Sequence, residues 1–407
     1  MLEFLKQKPT IDEDQIDELL TRGVENIFPN REFLKSKMML GEKVTLYLGI
    51  DPTGPTLHLG HVIPLLKLAK FQKLGHQIIL LIGDFTAMIG DPTDKTATRR
   101  KLSRVEVSVN LKEYEKQASK FISFSGSNKA ILKFNSEWFN KMSFEDALNL
   151  ASEMTVDQML KRDMFRTRAL EGKSTYIHEF FYPLMQGYDS VAMNVDGEIG
   201  GNDQTFNMLT GRDLMKSLKN KEKFVITTKL LIDSSGKKMG KTENNIVSLD
   251  QSPEDMFGKV MSWDDELIVP GFEILTDLSM KEMDSIKNDL NYGKNPKDFK
   301  ILLAKEVVAL YYGKELSEKA EQNFEQTFTK GGVPEDILEV SVVEGTALVD
   351  VLLTEKIVIS KTEFRRLISE GAVTLTETNL KITDPDTLVS SGVYKIGKRR
   401  FIKIKVL

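Results

Sequence analysis

The alternation of apolar and polar positions divides the chain into elements before any single residue draws notice. Ile11, Ile16, Leu19, Leu20 and Val24 recur at helical spacing and predict an amphipathic helix over 11–24; Glu32–Leu40 reads as a second, shorter one. The period then changes. A continuous apolar run, Val44–Ile50, breaks into turn residues, and an apolar helix is expected from Val62 to Leu74 with Gly75 as its stop. Gln77–Asp84 reads as a second buried strand. Together these make a β-α-β unit, which implies a parallel sheet that takes ligands at the carboxyl ends of its strands.

From Lys101 to Phe181 the pattern is helical and mixed in charge, with Val105–Phe124, Ser143–Lys161 and Phe165–Leu170 as its segments, so it reads as an insertion between two halves of the sheet. Beyond it are expected a short strand near Val191–Val195, a glycine-rich turn Ile199–Gln204 opening a helix Thr205–Leu218, and a strand at Lys223–Thr228. A polar, lysine-rich loop, Asp233–Thr242, follows. Ser252–Lys330 is helical throughout, most clearly at Phe299–Tyr312 and Leu316–Phe328. Gly331–Pro334 loosens the chain before a compact tail. The resulting plan is a parallel-sheet domain over 1–248 with its insertion at about 100–181, a helical domain over 249–335, a linker over 336–346 and a small domain over 347–407.

Composition narrows this picture. With 407 residues, 41% apolar and 29% charged, the chain can bury a proper core in two or three domains. It contains no cysteine, which excludes disulfides, Cys-ligated zinc, iron–sulfur clusters and thiol nucleophiles, and suits a reducing compartment. No stretch has the length of a membrane span and the first residues lack a signal-peptide pattern, so a cytoplasmic location is expected. A net charge of −4 argues against a wholly basic nucleic-acid binder. Residues 347–407 are the exception, with eleven Lys and Arg against seven Asp and Glu.

Candidate chemistry gathers at Tyr47–His61, where strand, turn and helix start meet. Of four histidines, two lie in His58-Leu-Gly-His61. The opening of a helix there offers free N–H groups and the positive end of its dipole to an anion, and Gly60 lets a flat ligand approach the backbone. Lys238-Met-Gly-Lys-Thr242 sets two ammonium groups and a hydroxyl in a glycine-bounded loop that nothing apolar can bury. Tyr182, Gln186 and Asp189, spaced four and three apart, share one helix face, and a core face would not pair Gln with Asp.

These motifs carry a resemblance. His58–His61 is similar to the His-Ile-Gly-His signature of class I aminoacyl-tRNA synthetases, and Lys238–Thr242 to their Lys-Met-Ser-Lys-Ser signature. More closely, Tyr47-Leu-Gly-Ile-Asp-Pro-Thr53, Gly83–Thr93, Tyr182–Asp189 and Gly200-Gly-Asn-Asp-Gln204 resemble the motifs of bacterial tyrosyl-tRNA synthetases. Ser360–Val373 with Tyr394–Arg400 resembles an S4-type RNA-binding domain. The match runs from about Glu32 to Leu407. It implies an α/β, Rossmann-like parallel-sheet catalytic domain with a helical insertion, an all-helical anticodon-binding domain, and a small α+β S4-like domain.

The resemblance also implies an activity: L-tyrosine is activated by ATP, with Mg2+ accompanying ATP and pyrophosphate, and passed to tRNA-Tyr by a homodimer built on the helical insertion. Such chemistry needs no enzyme nucleophile, only positioning and charge stabilisation on a crowded phosphate. By the same resemblance Thr53 and His58 hold the parting phosphates and His61 the nucleotide near its ribose. Lys238, Lys241 and Thr242 close over pyrophosphate, joined by Lys95 and Arg99. Tyr47 and Asp189 face the phenolic hydroxyl; Asp91, Tyr182 and Gln186 take the ammonium, with Gln204 near the carboxylate and Thr86 nearby. Asp51, Gly60, Gly201 and Asp203, with Lys241, fall to ATP. Asn135 in Asn-Ser-Glu-Trp138 is a further candidate for the ammonium. In the tail Arg365, Arg366, Lys398, Arg399, Arg400 and Lys403 offer RNA-phosphate contacts. No residue is assigned as a protein ligand to a metal.

Two departures from the family pattern stand out. The lysine signature has Gly and Thr for its serines, and Leu48 replaces a polar-capable side chain near the ribose. Small adenylyltransferases share the histidine turn, but would need neither a distant lysine loop nor an RNA-binding tail. Tryptophanyl-tRNA synthetases share the core, but Tyr47 with Asp189 favours tyrosine. A regulatory RNA-binding protein would have no use for intact His58, His61, Lys238, Lys241 and Asp189.

Overall fold

In a computed structural model the described residues are 9–91, 103–160, 163–232, 246–328, 337–397 and 400–407. The chain divides into two compact units, one up to Ser317 and one from Glu318.

The first unit opens with α1 (Glu13–Thr21), β1 (Val24–Phe28) and α2 (Arg31–Met39). Each helix starts on a side-chain cap, Asp12 accepting from the Gln15 N–H and Asn30 from that of Phe33. The predicted first helix is too long: Gly23, at φ +62°, turns the chain out of it, and Val24 begins a strand. Next come β2 (Thr45–Ile50), α3 (Leu59–Lys73) and β3 (Gln77–Ile82), the predicted unit. α3 begins three residues before the expected Val62 because His58 serves as its N-cap.

After α4 (Thr86–Ile89) the insertion comprises α5 (Arg104–Leu111), α6 (Tyr114–Ala118), β4 (Ile131–Phe134), α7 (Ser136–Phe139), α8 (Phe144–Ser152), α9 (Val156–Leu160) and α10 (Asp163–Leu170). It is therefore not wholly helical. β4 pairs parallel with β3, Ile131 opposite Ile79, and at four residues is too short to show a period of its own. α11 (Ile177–Met193) then absorbs most of the strand expected near Val191, and Asn194 closes it in the left-handed conformation. The strand falls later, at β5 (Gly197–Gly201), where glycine hides it: a Cβ on Gly197 would lie 2.1 Å from the Phe224 ring. α12 (Thr205–Lys219) and β6 (Phe224–Thr228) follow.

Among the described residues the sheet runs β1-β6-β5-β2-β3-β4, parallel except where β1 opposes β6. From β2 the chain builds outward through β3 and β4, then returns to the other flank of β2 to lay down β5. The carboxyl ends of β2 and β5 thus flank a topological switch point, where open α/β sheets bind ligands. Helices α13 (Pro253–Met261), α14 (Ile268–Leu275), α15 (Met280–Asn291), α16 (Pro296–Tyr312) and α17 (Lys314–Phe328) follow. Buried Arg22 ties this region to α1: its guanidinium donates to the carbonyls of Phe272, Glu273, Thr276 and Leu278 at the end of α14.

The second unit begins within α17 and goes on through β7 (Leu338–Val342), α18 (Leu348–Thr354), α19 (Lys361–Ser369), β8 (Val373–Leu375), β9 (Leu380–Lys381), β10 (Gly392–Ile396) and β11 (Arg400–Val406), its strands in a sheet ordered β7-β11-β10-β8-β9. β7 lies within the stretch read as a linker, yet pairs parallel with β11, Leu338 opposite Ile402. Leu348, Leu352, Phe364, Tyr394, Ile396, Ile402 and Ile404 fill its core. Among the described residues no helix is long and apolar enough to cross a membrane.

Candidate active site

Asp51, at the end of β2, starts the site. Gly83 makes room for it, since a Cβ there would stand 1.9 Å from Asp51 Oδ1. Its carboxylate accepts from Thr86 Oγ1 at 2.7 Å and from Tyr182 Oη at 2.9 Å. Desolvation raises this carboxyl to about 7, against the two hydroxyl donors. Family resemblance groups Asp51 with ATP; its bonds instead join it to Thr86 and Tyr182, the residues expected around the amino acid. Buried Asn135 completes this corner, giving one amide proton to Thr86 Oγ1 at 2.9 Å and accepting the Phe85 N–H at 2.9 Å.

Farther along α11 lies Asp189, 3% exposed. It accepts from the Trp138 indole at 2.9 Å and from Asn135 Nδ2 at 3.4 Å. Burial pushes its carboxyl well above the usual range, and these two donors oppose the shift. Tyr47, wholly buried on β2, lies 3.0 Å from Ser190 Oγ, and burial together with the negative charges of Glu198 and Asp189 raises its phenol. The predicted trio on α11 is divided in its bonds: Tyr182 reaches Asp51, Asp189 is held by Trp138 and Asn135, and Gln186 donates to Glu198 Oε1 at 3.2 Å. At the end of β5, Gln204 donates to Asp91 Oδ2 at 2.8 Å and accepts from Asn207 at 2.9 Å. Gly201 leaves space for Asp203, whose Oδ1 would stand 2.5 Å from an added Cβ.

The histidine turn lies beside this pocket, on the same strand end. His58 Nδ1 accepts from the Gly60 N–H at 3.1 Å, His61 Nδ1 from the His58 N–H at 3.2 Å, and the ring centroids are 3.8 Å apart. Because each Nδ1 accepts, each neutral ring carries its proton on Nε2, a donor suited to phosphate oxygen. Thr53 sits in the turn, its N–H bonded to the Asp51 carbonyl. The insertion braces the turn from above: Asn110 donates to the Pro52 carbonyl at 2.9 Å, Tyr114 to that of Gly54 at 2.8 Å, and Gln117 accepts the Leu57 N–H at 2.7 Å. A second brace comes from the far side of the lysine loop. Leu59 N–H bonds to the Val247 carbonyl at 3.0 Å and Leu249 N–H to that of Leu57 at 2.9 Å, an antiparallel bridge across His58 and Ser248. Lys95, Arg99, Lys238, Lys241 and Thr242 lie outside the described residues.

In the second unit Arg365 is exposed on α19. Arg366 pairs with Glu370 at 2.7 Å, Arg400 with Glu363 at 2.9 Å and Lys403 with Glu339 at 3.0 Å. Their charge is thus partly balanced within the fold. Lys398 and Arg399 lie outside the described residues.

Sequence reasoning misses four side chains: Trp138, Ser190, Glu198 and Lys223. Trp138 has a signal in Asn135-Ser-Glu-Trp138. Glu198, one charge in a glycine-rich strand, is a fainter one. Lys223, at the head of a strand, looks in sequence like an ordinary solvated lysine; it is instead wholly buried against Glu198.

The site therefore sets a buried phenol and a buried carboxylate beside a helix opening furnished with two imidazoles. Comparison with known proteins identifies the family. The profile of the tRNA synthetases class I (W and Y) matches residues 39–329. The tyrosine--tRNA ligase of Idiomarina loihiensis is 43% identical over 396 residues, covering 95% of this chain and 97% of that protein. That of Francisella tularensis is 41% identical over 391 residues, with coverage of 95% and 97%. Among solved structures, a C-terminally truncated mitochondrial tyrosyl-tRNA synthetase of Coccidioides posadasii superimposes with a TM-score of 0.63 at 25% identity, over 76% of this chain and 91% of that one. The fold of an Archaeoglobus fulgidus tyrosyl-tRNA synthetase complexed with L-tyrosine matches at a TM-score of 0.59 and 22% identity, over 76% of this chain and all of that one.

Proposed function

Since the chain belongs to the class I tRNA synthetases of the tryptophan and tyrosine group, we propose that its pocket selects tyrosine and that the enzyme is a tyrosine--tRNA ligase. It joins L-tyrosine to AMP from ATP, releasing pyrophosphate, and then transfers the tyrosyl group to the terminal adenosine of tRNA-Tyr. The observation that carries this reading is the floor of the pocket: Tyr47 and Asp189, both buried, with Asp189 held by Trp138 and Asn135. A phenolic hydroxyl offers one proton and one oxygen to such a pair. Phenylalanine offers neither and would leave buried polar groups unpaired. Tyrosyl-tRNA synthetases as a group are a familiar example of rejection of this kind.

On this reading the amino acid's ammonium lies at Asp51, Tyr182, Asp91 and Gln186, with Thr86 behind them and Gln204 toward the carboxylate. That carboxylate attacks the α-phosphate in line; the P–O bond to pyrophosphate breaks and its electrons leave with pyrophosphate. Thr53 and the Nε2–H groups of His58 and His61 hold the oxygens that gain charge, a role that counts most in the transition state. Lys95, Arg99, Lys238, Lys241 and Thr242 supply the remaining donors to the leaving group. Gly60, Gly201 and Asp203 accommodate the nucleotide. Mg2+ is taken to arrive on the phosphates of ATP as part of the substrate.

Residues 337–407 take the role of an S4-like RNA-binding unit, with Arg365, Arg366, Lys398, Arg399, Arg400 and Lys403 toward RNA phosphates. The helices from α13 onward are assigned to the anticodon stem. Exposed Phe144, Leu148 and Val156 on the insertion, 78%, 53% and 65% exposed, support a homodimer formed through that face. The setting proposed is the cytoplasm. Amino-acid-dependent exchange of labelled pyrophosphate into ATP tests the central reading: exchange with tyrosine is expected, and exchange with tryptophan alone, or with no amino acid, overturns it.

A further inference from the structure

Behind Tyr47, a buried chain of polar groups runs from Lys223 through Ser190 to the phenol. Lys223 Nζ lies 2.7 Å from Ser190 Oγ and 3.3 Å from the Met208 carbonyl, and is paired with Glu198 Oε2. An ammonium group only donates, so all three contacts are donations and use its three protons. Ser190 Oγ accepts from Lys223 and still has one proton to give. Its other partner is Tyr47 Oη, at 3.0 Å. Either hydroxyl can donate across this contact; when Ser190 spends its proton here, the Tyr47 oxygen accepts and the phenol proton is left for another partner. Two further protein acceptors lie near that proton: the Gln186 carbonyl at 3.5 Å, beyond the length of a good hydrogen bond, and the Glu198 carboxylate, already engaged by Lys223 and Gln186.

We propose that Lys223, acting through Ser190, sets Tyr47 as the hydrogen-bond donor to the ring hydroxyl of the substrate; the inference rests on the tyrosine pocket proposed above. Direction matters because the other side of the pocket is already committed. Trp138 N–H can only donate, so Asp189 Oδ1 accepts from it, and the carboxylate is left to take the substrate's single hydroxyl proton. Were Tyr47 to donate to Ser190 instead, two acceptors would face one proton and one of them would go unpaired. With Lys223 in place, the substrate oxygen accepts from Tyr47 and donates to Asp189, and both partners are satisfied.

The fold makes specific room for this arrangement. A Cβ on Gly211 would stand 2.6 Å from Lys223 Nζ, 3.0 Å from Ser190 Oγ and 3.2 Å from the Gly187 Cα, so α11 and α12 close on paired glycines and leave a slot for the ammonium. Glu198 balances the charge and, through its other oxygen, holds Gln186 at 3.2 Å. Lys223 Nζ also lies 5.6 Å from the Tyr47 ring centroid. Burying an ion pair rarely adds net stability; here it fixes the polarity of a hydrogen-bond chain. Lys223 and Ser190 are positioning residues, acting on the substrate through Tyr47.

Ser190→Ala in the full-length enzyme breaks the chain and leaves the ion pair in place. Pyrophosphate exchange is measured with tyrosine and with phenylalanine. The expected result is a roughly fivefold higher KM for tyrosine, the value of one neutral hydrogen bond, with KM for ATP and the phenylalanine rate unchanged, so that tyrosine-over-phenylalanine selectivity falls by the same factor. A merely structural role would lower both amino acids together. The Glu198→Gln/Lys223→Met double variant leaves no lone buried charge; selectivity is expected to fall there too, and adding Ser190→Ala should lower it no further. Unchanged selectivity in folded Ser190→Ala, or a full additional loss in the double background, overturns the proposal. A wild-type enzyme that exchanges with tryptophan instead of tyrosine overturns the pocket reading itself, which is a different result.

Discussion

Trp138→Phe isolates the one strong donor to Asp189. The ring remains, so packing against Tyr47, Ile79 and Leu81 and the edge contact with Phe139 largely survive. The stability cost should be on the order of 1 kcal/mol, as for other small core truncations. What is lost is the indole N–H, 2.9 Å from Oδ1 of a carboxyl that burial already drives upward. A hydrogen bond to a charged group contributes about 1.5–3 kcal/mol, which corresponds to roughly ten- to a hundredfold in KM for tyrosine. The same bond favours the ionised form, so its loss raises the Asp189 pKa further. The sign follows: at any given pH more of the carboxyl is protonated, the variant loses tyrosine activation on the acid side first, and it recovers toward high pH. Pyrophosphate exchange with tyrosine between about pH 6 and pH 9, with KM for ATP as control, measures both effects. A folded variant with wild-type KM and an unshifted acid limb would show that Trp138 does not govern Asp189.

Other perturbations probe the rest of the molecule. His76 is wholly buried, and desolvation lowers its imidazole to about 4 from an ordinary value near 6.5. The unfolded chain therefore takes up a proton first, so stability is complete above pH 6.5 and declines by about 3 kcal/mol as pH falls toward 4. His76→Asn, which keeps an acceptor for the Val44 N–H, should flatten that decline in urea unfolding even though it costs stability at neutral pH. Phe144→Glu is expected to convert a dimer to monomer in sedimentation analysis without unfolding the chain; an unchanged mass would remove this face from the proposed interface. Deleting residues 337–407 should spare pyrophosphate exchange and reduce transfer to tRNA at least tenfold. Equal transfer by the shortened chain would deny the tail its proposed role.

The parallel unit β2–α3–β3 is legible in the sequence because a buried strand and a capped helix each leave a pattern in the residues that form them. So is the face of α11, where four- and three-residue spacing exposes Tyr182 and Asp189. β4 and β5 are not. One is too short to repeat, and the other is made largely of glycines, chosen by what must fit beside them: Phe224 against Gly197, Met208 against Gly200. The bonding partners of Asp51 are equally hidden, because Thr86 and Tyr182 are 35 and 131 residues away in sequence. Lys223 cannot be read at all. A lysine shows its charge in the sequence but not its burial, and burial here depends on a slot between two glycines on different helices.

The sheet order also governs how the protein is made. β5 joins the free flank of β2, but its first residue, Gly197, is synthesised long after Ile50 has ended β2. Counted from Ile82, which completes β3, at about 5–20 residues per second roughly six to twenty-three seconds pass in which a growing chain holds β2 against β3 with its other edge unpaired. An open, apolar strand edge is a template for the wrong partner. Polysomes crowded with this message would carry that edge on many nascent chains at once, and yield on overexpression should rise with slower initiation or with added chaperone capacity.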